Sequence, residues 1–170
     1  YRRFPQLADN EPEISVETRL GGVDNAVPMT GFTGVANTFA LSVELNTGGY
    51  LYSTRPNFPV DALELLLTIP ALFHVDAETG KQRDNETTWR YRYRLKGGAY
   101  GDWTSKSVKA STRTARLPTV RIEGLTRGEY DVEIEWVSAT HTDANVDAWK
   151  VFLTGVTEEL DEQRTYDGYA

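Results

Sequence analysis

Val120-Arg121-Ile122-Glu123-Gly124-Leu125-Thr126-Arg127-Gly128-Glu129-Tyr130-Asp131-Val132-Glu133-Ile134 decides the reading of this chain. A short strand ends at Leu125 and a glycine-bearing turn follows. Tyr130 then opens a run in which Tyr130, Val132, Ile134 and Trp136 alternate with Glu129, Asp131, Glu133 and Glu135. Apolar and charged residues alternating with period two mark a strand with one face buried. A leucine, a glycine and a tyrosine set between two such strands make a tyrosine corner. Its ring packs inward while its hydroxyl bonds to backbone just upstream, which fixes a crossover between two sheets. A plain hairpin with an apolar tyrosine is the competing reading, and the clean alternation on both sides favours the corner.

Working outward, the same period recurs. Phe39, Leu41, Val43 and Leu45 alternate with Ala40, Ser42 and Glu44. Leu63, Leu65, Leu67 and Ile69 share a face, and Trp89, Tyr91, Tyr93 and Leu95 alternate with Arg90, Arg92, Arg94 and Lys96. Weaker strand patterns occur at 13–18, 105–111, 118–124 and 148–156. Asp61–Leu67 also holds good helix formers behind a capping aspartate, but its strict alternation and the stop at Pro70 favour a strand. Between these runs lie Asn46-Thr47-Gly48-Gly49, Lys96-Gly97-Gly98 and Thr126-Arg127-Gly128, which are turn chemistry. Short alternating strands without a convincing helix predict an all-β, antiparallel β-sandwich. Residues 19–37 are glycine-rich and polar and read as a long loop. Residues 76–87 read as a polar loop. The expected organisation is a β/loop segment over 1–46, belonging to a neighbouring unit, a sandwich over 47–163 and a linker over 164–170.

The two best strands carry opposite charges on their outer faces. Arg90, Arg92, Arg94 and Lys96 stand on one, and Glu129, Asp131, Glu133 and Glu135 on the other. Side by side they form a cross-strand ladder that relieves the like-charge repulsion within each strand and penalises a slipped register. A basic face for an anionic glycan is the functional alternative; the matching acidic row favours the ladder. Trp89, Tyr91, Tyr93, Tyr130 and Trp136 fall on inward faces, where aromatics supply core area. Tyr100 and Trp103, beside a glycine-rich turn, are the candidate exposed aromatics. A sugar platform would need them coplanar with Tyr50 or Tyr52.

The chain has 170 residues, net charge −7 and no cysteine. Disulfides, thiolate metal sites and cysteine nucleophiles are thereby excluded. An acidic chain has no general attraction for nucleic-acid phosphates, and no apolar run reaches membrane-spanning length. His74 and His141 are far apart in sequence and read as solvated loop histidines. No metal-ligand spacing, phosphate-cradling glycine loop or strained serine turn is present, so no catalytic residue, metal or cofactor is expected. Glu158-Glu159 and Asp161-Glu162 read as a solvated acidic run. Asn85-Glu86-Thr87 matches a glycosylation sequon, a triplet common by chance. The sequence begins at Tyr1 and stops after Tyr166-Asp167-Gly168-Tyr169-Ala170, and reads as a segment of something longer.

The leucine, glycine and tyrosine at positions 125, 128 and 130 resemble those of fibronectin type III domains. Val60-Asp61-Ala62-Leu63 running into Leu67-Thr68-Ile69-Pro70-Ala71-Leu72-Phe73, followed by Glu78-Thr79-Gly80-Lys81, resembles the J-type host-specificity, or tip attachment, proteins of long-tailed bacteriophages. So do Gly128-Glu129-Tyr130-Asp131-Val132 leading to Val137-Ser138-Ala139-Thr140-His141-Thr142-Asp143-Ala144, then Val146-Asp147-Ala148-Trp149 and Leu153-Thr154-Gly155-Val156-Thr157-Glu158. The resemblance spans roughly residues 59–160. The chain departs from it at Phe152-Leu153-Thr154-Gly155, where the family carries a serine-rich run. The resemblance implies a fibronectin-type-III-like module in the hub of a virion tail tip, made in the bacterial cytoplasm. Its partners would be other tail-tip proteins and two further copies of itself, and a host receptor or glycan. An independent carbohydrate-binding sandwich is the alternative.

Overall fold

The computed structural model describes residues 35–160; the strand pattern at 13–18 and the linker at 164–170 lie outside them. Ten strands follow one another without a helix. They are β1 (Val35–Glu44), β2 (Tyr50–Ser53), β3 (Ala62–Thr68), β4 (His74–Val75), β5 (Gln82–Arg83), β6 (Asn85–Leu95), β7 (Thr104–Ala110), β8 (Thr119–Ile122), β9 (Tyr130–Ala139) and β10 (Phe152–Leu160). They build two four-stranded antiparallel sheets, β1-β10-β3-β8 and β2-β9-β6-β7, with a small β4-β5 hairpin at one end.

The alternation in the sequence becomes the two faces of these sheets. Leu63, Leu65 and Leu67 of β3 turn inward, together with Val120 and Ile122 of β8 and Leu153 and Val156 of β10. Trp89 and Tyr91 of β6 and Tyr130, Val132 and Ile134 of β9 meet them from the other sheet. Each fully buried aliphatic side chain removes enough apolar surface from water to stabilise the fold by about 1.5–3 kcal/mol. The helix-like composition of 61–67 is overridden because only a strand buries all three leucines against the facing sheet.

Three expectations need correction. Residues 35–46 belong to the sandwich, because β1 is hydrogen-bonded along β10 and Leu45 is buried in the core; of the stretch read as a loop over 19–37, residues 35–37 are strand and the rest lie outside the described residues. The 76–87 stretch is ordered, because Val75 pairs with Gln82 and His74 with Arg83, and β6 already begins at Asn85. The last strand runs over Phe152–Leu160, with Ala148 making only an isolated bridge to Phe73.

In a constant-type immunoglobulin sandwich the last strand lies beside the penultimate one. Here β2 takes that place next to β9, and β10 inserts in the opposite sheet between β1 and β3. As a result Val35 and Leu160 are paired neighbours.

Candidate functional site

The corner at the start of β9 is built from backbone up. Gly124 has φ +68°, a left-handed conformation that glycine adopts without strain. Leu125 packs against the core. The Tyr130 hydroxyl donates to the Thr126 carbonyl at 2.6 Å. At Gly128 an added Cβ would meet only the Cδ1 end of the exposed Leu95 side chain, at 2.5 Å, and that side chain can turn aside. Tyr130 is itself buried, and its amide donates to the Thr54 hydroxyl at 2.8 Å, which ties in the segment after β2.

The outer face of the β2-β9-β6-β7 sheet carries the charges. Register places Arg90 opposite Glu135, Arg92 opposite Glu133 and Arg94 opposite Asp131. Ion-pair distances are 2.6 Å for Arg90–Glu135 and Arg92–Glu133, 2.9 Å for Arg94–Asp131 and 2.8 Å for Lys96–Glu129. Each arginine converges Nε and a terminal nitrogen on one oxygen of its carboxylate, a charge-assisted contact. The aromatics are threaded through this ladder. Trp103 lies under the guanidinium groups of Arg90 and Arg92, at 4.5 and 4.4 Å. Tyr100 lies under those of Arg92 and Arg94, at 4.5 and 4.3 Å. Both rings are half-buried. Tyr50 and Tyr52 pack toward the core instead, so the platform that the carbohydrate-binding alternative would need, joining one of them to Tyr100 and Trp103, is not formed.

Sequence reasoning missed two clusters. At one end, Asn85 is almost fully buried and its amide group joins three segments. Its Nδ2 donates to the carbonyls of His141 and Ala148, at 2.9 and 3.1 Å, and its Oδ1 accepts from the amides of Glu86 and His141. This brings His74 and His141 face to face, with ring centroids 3.7 Å apart. They are therefore not solvated loop residues. Asp147 Oδ1 lies 2.8 Å from His74 Nδ1 and also accepts from the Val75 amide, while Oδ2 accepts from the Asp143 amide. Burial alone would push the Asp147 carboxyl up; these bonds outweigh it and hold the group below the usual carboxylate range. Only the pairing of distant loops exposes this cluster, so no local pattern signals it.

The second cluster corrects the reading of Glu158 as part of a solvated run. Glu158 is fully buried. Its Oε1 accepts from the Tyr52 hydroxyl at 2.8 Å and from the Arg55 amide at 3.0 Å, and its Oε2 pairs with Arg55 Nε at 2.9 Å. The Arg55 guanidinium lies between the rings of Phe39 and Phe58, at 4.8 and 4.1 Å. Burial, and then the neighbouring carboxylate, push the Tyr52 hydroxyl pKa well up. The signal available in the sequence was parity: Glu158 shares the inward face of β10 with Val156 and Leu160.

Among the described residues no group of three or more histidines and carboxylates is placed to hold a metal ion. The carboxylates of the sheet face are occupied by arginines. The chemistry on offer is cross-linking of strands and presentation of a charged surface.

Residues 35–162 match the family model of tip attachment protein J, FNIII-A domain. No curated protein sequence matches the chain.

Proposed function

From the premise that the chain belongs to the FNIII-A domain family of tip attachment protein J, a component of the phage tail tip, we propose that it acts as a structural and interaction module contributing to tail-tip assembly and host attachment. The match along the whole sandwich is the observation that carries this reading. The ladder on one sheet and the buried Glu158–Arg55 pair linking β10 to the segment after β2 support it, because both brace the module against deformation. In the full-length protein its neighbours would be other hub proteins and two further copies of itself around the tail axis. No catalytic step is part of this proposal.

Excision from the full tip protein tests the proposal. Val35 and Leu160 are cross-strand partners, which places their Cα atoms about 5 Å apart, so a short glycine–serine bridge can replace residues 35–160. Phage carrying the excision are expected to assemble fewer complete tails or to adsorb more slowly to host cells. Wild-type tail yield together with wild-type adsorption would refute the assignment.

A further inference from the structure

Residues 103–122 contain no Asp or Glu, in a chain that holds 25 of them. The same stretch reads Ser105-Lys106-Ser107-Val108-Lys109-Ala110-Ser111-Thr112-Arg113-Thr114-Ala115-Arg116, cations spaced by hydroxyls. Its fold exposes them together. β7 is the outer strand of its sheet, and Lys106, Lys109, Arg113 and Arg116 are all exposed. The β5 strand is stitched to this run, because Gln82 Nε2 donates to Ser111 Oγ and Arg113 Nε donates to Gln82 Oε1. Arg83, also exposed, thereby joins the strip. The Arg113 guanidinium is propped over the Phe73 ring at 4.5 Å.

These five cations differ from those of the ladder. Arg90, Arg92, Arg94 and Lys96 are each neutralised by a carboxylate. Arg83, Lys106, Lys109, Arg113 and Arg116 make no ion pair among the described residues; the acids nearest them are Asp84, Asp76, whose charge is felt by Arg83, and Glu86, the cross-strand partner of Lys109. On a protein of net charge −7, such a strip is a local positive field with hydrogen-bonding hydroxyls set into it.

We propose that this strip is a contact surface for an anionic polysaccharide bearing phosphate or carboxylate groups. A polypeptide partner fits less well. Lysines on an exposed edge strand oppose strand addition, and Leu117 is a single exposed apolar side chain where a protein interface would need an apolar core. The inference deepens the host-attachment part of the proposed function and rests on it. A failure of the strip would leave the tail-tip role standing, because that role is tested by excision and tail assembly.

The test uses the 170-residue chain immobilised on a sensor, with polygalacturonate, phosphorylated dextran and neutral dextran as probes. Both anionic polymers should bind and neutral dextran should not. Affinity should fall by about tenfold or more between roughly 50 and 200 mM salt, as expected when bound cations displace counterions. The combined variant Lys109→Ala, Arg113→Ala, Arg116→Ala should lose binding while keeping the wild-type circular dichroism spectrum, and Arg127→Ala, outside the strip, should bind normally. Absence of binding to both anionic polymers at low salt would overturn the proposal, as would equal loss in the Arg127 variant. Tighter binding of polyglutamate or of a DNA oligonucleotide would also overturn it, reassigning the strip to another class of partner.

Discussion

Asn85 stands first in a sequon, yet its side-chain nitrogen already donates to the His141 and Ala148 carbonyls within the protein. A glycan attached there would displace these bonds, so chains glycosylated at Asn85 on passage through a eukaryotic secretory route should unfold at lower denaturant than unmodified chains. Asn85→Ala would leave buried backbone groups without partners, and denaturant titration should show a loss of about 3 kcal/mol or more. Glu158 invites a similar argument. It has no exposed surface, and its partner Arg55 has a side chain 40% exposed. Glu158→Ala should cost about 3 kcal/mol, because the Tyr52 hydroxyl and the Arg55 amide lose their acceptor, less whatever Arg55 recovers by turning to water. Asn85 was not legible as structural in the sequence, because an asparagine at the start of a strand has many solvated uses and only long-range pairing marks the buried one. Glu158 was legible only through its parity with Val156 and Leu160, which its place in an acidic run masks.

Between elements, β6 and β9 were the most legible pair, since each shows its register on its own surface. Positive residues at 90, 92 and 94 and negative residues at 131, 133 and 135 admit one antiparallel alignment in which every charge is matched. A shift by one residue would turn every charge toward the core. Arg92 sits at the centre of this ladder, bonded to Glu133 and stacked between Tyr100 and Trp103. Arg92→Glu should destabilise the fold by about 1–2 kcal/mol, through charge repulsion and loss of the stacking. Adding Glu133→Lys should restore the ion pair and leave the stacking loss. Denaturant titrations of the four proteins should give a coupling energy of about 0.5–1 kcal/mol, and additive effects would refute direct pairing. The β4–β5 hairpin was harder to find, because two-residue strands carry no period. Its turn depends on the Asp76 carboxylate accepting from the Thr79 amide and hydroxyl.

For the whole molecule, acid should act through the carboxylates that the fold holds ionised. Burial on its own would push the Asp131 carboxyl up, but the Ser53 hydroxyl and the Arg94 guanidinium outweigh it and set the group below the usual range. Asp147 is displaced the same way by His74 and by backbone amides. A folded-state value below the unfolded one contributes stability that is complete above about pH 4–5. That contribution disappears as pH falls through the lowered values. The denaturation midpoint should therefore hold from pH 7 to pH 5 and drop by pH 3; an unchanged midpoint would refute these linkages. The sandwich class and most of its strands were legible because alternation is local. The order of strands within the sheets was not, because which strand lies beside β9 depends on packing between segments as far apart as Tyr50 and Ile134.

The neighbouring positions of Val35 and Leu160 have a mechanical consequence. Tension applied across these two points opens the β1–β10 ladder from its end, one hydrogen bond after another, in the manner of a zip. A sandwich gripped at opposite ends must instead shear several bonds at once. Pulled at 35 and 160 in an optical trap, the module should yield at a much lower force than when gripped at Val35 and Phe152, which lie at opposite ends of the β1–β10 ladder and load its bonds in shear. The same module that resists compression through its packed core should therefore give way readily under tension at these two points.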